Sequence, residues 1–81
     1  MFVTVRLFAR LREIVGGRDT HVKLPDGATA RDLWSALVAR YPELEPYTPS
    51  VSCAVNEDYA RLSTPLQDGD DVAFLPPVSG G

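Results

Sequence analysis

Apolar and polar residues alternate from Phe2 to Ala9, with Val3, Val5 and Leu7 on one side and Phe2, Thr4, Arg6 and Phe8 on the other. That is the period of a strand with one buried face, and it points Phe8 away from the core. Leu11, Ile14 and Val15 then take helical spacing before Gly16-Gly17, which predicts one or two helical turns over residues 10–15. Alternation resumes over residues 20–24 around Val22 and Leu24 and ends at Pro25-Asp26-Gly27, a turn in which proline fixes one φ and glycine takes a positive one. The first two strands are therefore expected to pair antiparallel. Thr29 suits a helix N-cap, and Asp32 three residues later completes a capping box at the positive end of the helix dipole. Leu33, Trp34, Leu37, Val38 and Tyr41 follow as one apolar stripe, and Tyr41-Pro42 stops the helix. This is the main helix, and its stripe places Trp34 in the core.

Residues 43–50 contain Pro46 and Pro49 and read as an irregular connection. Residues 51–55 form a third strand, Asn56-Glu57-Asp58 a turn, and residues 59–61 a short edge strand. A loop over residues 64–70 leads to the last strand, where Val72 and Phe74 share one face and Ala73 and Leu75 the other. Strand, strand, helix, strand, short strand, strand in so small a chain predicts an α+β fold: a mixed sheet of four to five strands curled over one main helix, the β-grasp arrangement. The last strand is then the parallel neighbour of the first. The domain is expected to span residues 1–76, with an extended tail over 77–81.

With 81 residues the chain forms one domain, burying about 60% of its unfolded surface. No apolar run approaches the ~20 residues of a membrane span, and the first residues lack the blocks of a secretory signal, so a cytoplasmic protein without membrane contacts is expected. Cys53 is the single cysteine, so no internal disulfide can form, and its place in a strand makes it a core residue. His21 is likewise alone, leaving neither a metal-ligand set nor a Ser/His/Asp arrangement. A net charge of −3 with one lysine speaks against a nucleic-acid surface. Arg6, Arg10, Arg12 and Arg18 gather near the start and read as a solvated face, with a docking patch for an acidic partner as the alternative. The chain thus shows no catalytic apparatus of its own and no bound cofactor or metal.

The candidate chemistry lies at the end. Gly80 and Gly81 lack Cβ atoms and can thread a channel too narrow for other residues, leaving the carboxylate as the functional group. Pro76 and Pro77 fix φ and remove two backbone donors, pushing the tail off the sheet. From Pro77 to Gly81 the chain reaches at most about 17 Å.

Leu7-Phe8-Ala9 with Arg12-Glu13, then Ala54-Val55-Asn56, then the block from Leu66-Gln67-Asp68-Gly69-Asp70-Asp71 through Val72-Ala73-Phe74-Leu75-Pro76-Pro77-Val78-Ser79-Gly80-Gly81 together resemble the small subunit of molybdopterin synthase, a ubiquitin-like sulfur carrier. Leu75 stands where members of that family often have an aromatic residue. The resemblance implies that an activating enzyme related to ubiquitin activators consumes ATP to adenylate the Gly81 carboxylate, which then becomes a thiocarboxylate. It implies that the tail, Pro76, Pro77, Val78, Ser79 and Gly80, enters the large subunit. There Gly81 gives its sulfur to a cyclic pyranopterin precursor, forming the dithiolene of the molybdenum cofactor. The catalytic groups would belong to the large subunit, in a heterotetramer of two small and two large chains. Phe8 and Leu75, outward on neighbouring strands, would form the docking patch, with Tyr59 and Arg12 added to it. Three other readings remain open: a carrier for thiazole synthesis, a non-covalent ubiquitin-like interaction domain, and protein tagging through isopeptide bonds.

Overall fold

The computed structural model of the chain describes residues 1–17 and 20–77. Strand β1 (Phe2–Leu7) buries Val3, Val5 and Leu7 as its alternation requires. It is shorter than the pattern predicts, because Phe8 becomes the N-cap of a seven-residue helix, α1 (Ala9–Val15), and Ala9 enters that helix at φ 52°. Gly16 closes α1 in the left-handed conformation, donating to the carbonyls of Arg12 and Glu13, the positive-φ ending that glycine adopts without steric cost. Strand β2 (Thr20–Lys23) returns antiparallel to β1.

Helix α2 (Ala30–Arg40) begins as its sequence predicts. The Asp32 amide donates to Thr29 Oγ1 at 3.2 Å, and the Thr29 amide donates to the Asp32 carboxylate at 2.9 Å. The first-turn amides of Ala30 and Arg31, which a helix leaves without partners, donate to the carbonyls of Thr64 and Leu62. The loop before the last strand is thereby stitched to the helix start. Ala30, Leu33, Trp34 and Leu37 face the core.

Residues 42–47 are not irregular as the two prolines suggest: they form a 3₁₀ helix, Pro42–Tyr47. Pro42 sits at its first position, where no backbone donor is needed, and Leu44 is fully buried. The i→i+3 pattern persists through the bonds Leu44 N–H to Tyr41 and Thr48 N–H to Glu45.

Strands β3 (Ser52–Val55) and β4 (Asp58–Ala60) make a hairpin, and β5 (Asp71–Leu75) completes a five-stranded sheet of order β2-β1-β5-β3-β4. β5 runs parallel to β1 and antiparallel to β3. This mixed sheet over α2 is the β-grasp arrangement. β5 is the central strand, and Val72 and Phe74 on its inner face are fully buried. The Phe74 ring lies 5.1 Å from that of Trp34 at a 55° tilt, a geometry aromatic pairs favour. The Trp34 indole N–H donates to Thr48 Oγ1 at 2.9 Å, so burying the ring strands no donor.

The β3–β4 loop holds both of its residues at positive φ, Asn56 at 51° and Glu57 at 74°. Two-residue hairpin loops favour this geometry with Asn-Gly, and a residue with a Cβ strains the second position. Glu57→Gly is expected to stabilise the fold by about 0.5–1 kcal/mol, read as a rise of a few degrees in Tm.

Candidate functional site

The cross-strand register sets four outward residues in one row across the sheet. Arg6 on β1 pairs with Ala73 on β5, Ala73 with Ala54 on β3, and Ala54 with Tyr59 on β4. Two alanines at the middle leave the face low there, and a hollow of about 300 Å³ opens over them. Phe8 and Leu75 line it, as do Tyr59, Glu57, Asp71 and Arg6. The rim is uneven in character. Phe8, Tyr59 and Leu75 are apolar or aromatic, with Phe8 43% and Tyr59 81% exposed, whereas Arg6 Nε donates to an Asp71 oxygen at 3.0 Å. That ion pair is half in solvent and fixes geometry more than it adds stability.

Three of the residues picked out in the sequence, Phe8, Tyr59 and Leu75, thus meet around one concavity. Arg12 does not line it. Its Nε donates to the Gly17 carbonyl at 3.0 Å, joining the end of α1 rather than the sheet face. Arg10 is engaged locally as well, with Nη1 3.1 Å from a Glu13 carboxylate oxygen; Glu13, and then Tyr47, raise its pKa further above the usual value. With Arg6 held by Asp71, the arginine cluster is internally partnered at each described position; Arg18 lies outside the described residues.

What the sequence did not reveal is the alanine floor. Ala54 and Ala73 are small residues at outward strand positions, but only the register between β3 and β5 brings them side by side. Glu57, Asp71 and Arg6 were missed as rim residues for the same reason.

The tail leaves β5 directly beside this hollow. Pro76 and Pro77 follow Leu75 without regular structure; the remaining candidates, Val78, Ser79, Gly80 and Gly81, lie outside the described residues. A polar clamp holds the other end of β5. Asn56 Nδ2 donates to Asp70 Oδ1 at 3.0 Å, Asn56 Oδ1 accepts from the Asp71 amide at 3.0 Å, and Asp70 Oδ2 accepts from the Gln67 amide at 2.8 Å. Asp68 adds a bond from the Phe2 amide at 2.7 Å. Asn56 and the acidic run at 68–71 therefore set where β5 starts, and so where the tail emerges at its far end.

Cys53 is 2% exposed beneath β4, its thiol 3.2 Å from the Ala60 carbonyl, and burial raises its pKa. A thiol in that state is a core residue and not a nucleophile. Among the described residues no three His, Cys, Asp or Glu side chains gather as a metal site, and no helix is long and apolar enough to cross a membrane.

The profile of the ThiS family matches residues 5–81. A molybdopterin synthase sulfur carrier subunit from Arabidopsis thaliana is 40% identical over 79 residues, spanning 98% of this chain and 82% of that protein. The crystal structure of SAMP1 from Haloferax volcanii superposes with a TM-score of 0.87 at 32% identity, over the whole of both chains. A complex of subunits 1 and 2 of molybdopterin-converting factor from Helicobacter pylori contains a chain that matches end to end with a TM-score of 0.69 at 29% identity. The family match over residues 5–81 and the near-complete coverage of these relatives agree: this chain belongs to the ThiS family.

Proposed function

We propose that the chain is a sulfur carrier, the small subunit of a molybdopterin synthase, whose Gly81 carboxylate is adenylated, converted to a thiocarboxylate and inserted into the active site of a separate large subunit. The observation that carries this reading is the placement of the tail's root. The most enclosed strand of the sheet ends at Leu75 and passes straight into Pro76-Pro77, beside an exposed hollow with Phe8, Tyr59 and Leu75 on its rim. A fixed root and an adjacent docking face suit a tip that works inside another protein. The name of the Arabidopsis relative and the two-subunit Helicobacter complex support the same assignment.

The chemistry follows from what a glycine carboxylate lacks. It is a poor electrophile; reaction with ATP releases pyrophosphate and leaves an acyl-adenylate. Hydrosulfide from a sulfur donor then attacks the carbonyl carbon, the C–O bond to AMP breaks with its electron pair leaving on AMP, and a thiocarboxylate remains. Its sulfur is a soft nucleophile suited to building a dithiolene on a pterin precursor. Catalytic groups for that transfer come from the large subunit, and the hollow lined by Phe8, Tyr59 and Leu75 supplies the docking contact. The pairing is taken as two small and two large chains, in the cytoplasm, with no cofactor held by the small chain.

A second reading has a specific observation behind it: the likeness to SAMP1, one of the small archaeal modifier proteins, of which a curated relative is 34% identical to this chain. The same acyl-adenylate can be intercepted by an amine, giving an isopeptide bond. Incubation with an adenylating enzyme, ATP and a sulfur donor, followed by large subunit and pterin precursor, tests the first reading. Replacement of one oxygen by sulfur at Gly81 and formation of the dithiolene product support it, whereas a chain that loads sulfur but yields no pterin product excludes the synthase assignment. Phe8→Ala is expected to weaken large-subunit binding about ten- to thirtyfold, roughly 1.4–2 kcal/mol. Because the ring is already half in solvent, Tm should stay nearly unchanged; unaltered affinity by calorimetry counts against the docking face.

A further inference from the structure

An activated carbonyl reacts with whatever amines can reach it, and this chain has few. Lys23 is its one lysine. The other amine, the Met1 α-ammonium, is built into the sheet edge. It donates to the Leu24 carbonyl at 2.8 Å while the Leu24 amide donates back to the Met1 carbonyl at 2.8 Å, and Asp26 lies 3.7 Å away. That reciprocal pair extends the β1–β2 ladder by one rung, and the Met1 side chain is only 4% exposed. Its nitrogen is thereby tied into the sheet edge beside a buried side chain. Lys23 is different. It lies at the end of the edge strand β2, exposed, with its ammonium 5.9 Å over the Phe2 ring.

Position also decides which copy of the tail can reach it. Lys23 is paired with Phe2, while Leu7 is paired with Phe74 at the opposite end of β1. Those ends are roughly 17 Å apart at about 3.3 Å per residue, and β5 and β2 are separated by two strand spacings of about 4.8 Å. Residues 76–81 span at most about 20 Å, and β5 ends at the opposite end of β1 from the Phe2–Lys23 pair. Closing on the same chain would require the path to reverse after Leu75, whereas a second copy can approach the edge strand β2 from outside the sheet.

We infer that Lys23 is the acceptor site at which the activated Gly81 of a second copy becomes attached, so that self-conjugation of this protein is head-to-tail and passes through a single residue. The inference rests on the proposed activation of Gly81. The neutral Lys23 amine attacks the acyl-adenylate carbonyl, the C–N bond forms, the C–O bond to AMP breaks with its electron pair leaving on AMP, and the amine proton passes to solvent. ATP supplies the driving force. A sulfur donor competes for the same carbonyl, so conjugation is greatest when sulfur is scarce.

The test uses the full chain with an adenylating enzyme and ATP, without a sulfur donor, in parallel with a reaction containing hydroxylamine. Hydroxylamine traps the activated terminus as a hydroxamate whether or not Lys23 is present. The expected result is a ladder of species, each bond lighter by one water than the sum of its chains. Trypsin should leave residues 62–81 on Lys23, because Arg61 is the last cleavable residue before the tail. Lys23→Arg keeps the charge over Phe2 and should abolish the ladder while hydroxamate yield is unchanged. Hydroxamate without a ladder, a ladder that survives Lys23→Arg, or linkage mapped to the Met1 amine overturns the inference. Absence of hydroxamate instead removes the activation step itself, and the inference with it.

Discussion

Adding one residue after Gly81 is expected to abolish sulfur loading and pterin product formation while leaving the fold untouched. An added residue moves the reactive carbonyl by about 3.3–3.6 Å along the arm, and a displacement of even about 1 Å at a reacting centre costs on the order of a hundredfold in rate. Any residue other than glycine also places a Cβ where the proposed channel admits only backbone. Among the described residues the last buried core residue is Phe74 on β5, so Tm and circular dichroism should match the unmodified chain. The measurement is the yield of thiocarboxylate by intact mass, alongside the melting curve. Gly81→Ala, which keeps the length, should retain more activity than the extended chain, and the gap between the two separates the effect of reach from that of width.

Phe74→Ala is expected to have the largest effect on stability, about 3–5 kcal/mol. Phe74 is fully buried at the centre of the sheet and packs on Trp34, so truncation leaves a cavity that the flanking strands cannot close. For a domain whose total stability is of the order of 5–15 kcal/mol, with about 4–8 °C of Tm for each kcal/mol, the loss should lower Tm by tens of degrees. Denaturant melts followed by Trp34 fluorescence would measure it. The loss should reach function too, because β5 carries the tail. Phe8→Ala, with its target outside the core, should do the reverse and lower partner affinity at constant stability. The pair separates the inward from the outward face of neighbouring positions on adjoining elements.

Much of the fold was legible because local and long-range signals agree. Thr29 and Asp32 announce the start of α2 in a form that needs no tertiary information, and the parity of Val72 and Phe74 against Ala73 and Leu75 survives in β5 as written. Residues 43–50 misled because proline reads as a helix breaker. Pro42 begins a 3₁₀ helix at the one position where its missing N–H costs nothing, and Leu44, a lone apolar residue between glutamates, is the only local sign that this segment seals the core. The end of β1 was overrun for a similar reason. Alternation continues through Phe8, and nothing in the pattern announces the left-handed backbone at Ala9 that turns the chain into α1.

The candidate site was half legible. Phe8, Tyr59 and Leu75 could be named from outward parity and from the family resemblance. Their meeting around an Ala54–Ala73 floor depends on the pairing of β5 between β1 and β3, which no single segment encodes. The run Gln67-Asp68-Gly69-Asp70-Asp71 drew notice as a motif, and the structure supplies its physical reason: its carboxylates and amides lock onto Asn56 and Phe2 and fix the start of the tail-bearing strand. Arg12, placed with the patch by resemblance, instead bonds the end of α1.

The proposed function requires sulfur carried at Gly81. Intact-mass analysis of the protein, recovered from cells that are making the cofactor, tests this most directly. One oxygen replaced by sulfur, confined on digestion to the peptide of residues 62–81, is the expected result. A chain whose terminus remains an ordinary carboxylate while the cells go on producing the cofactor would contradict it.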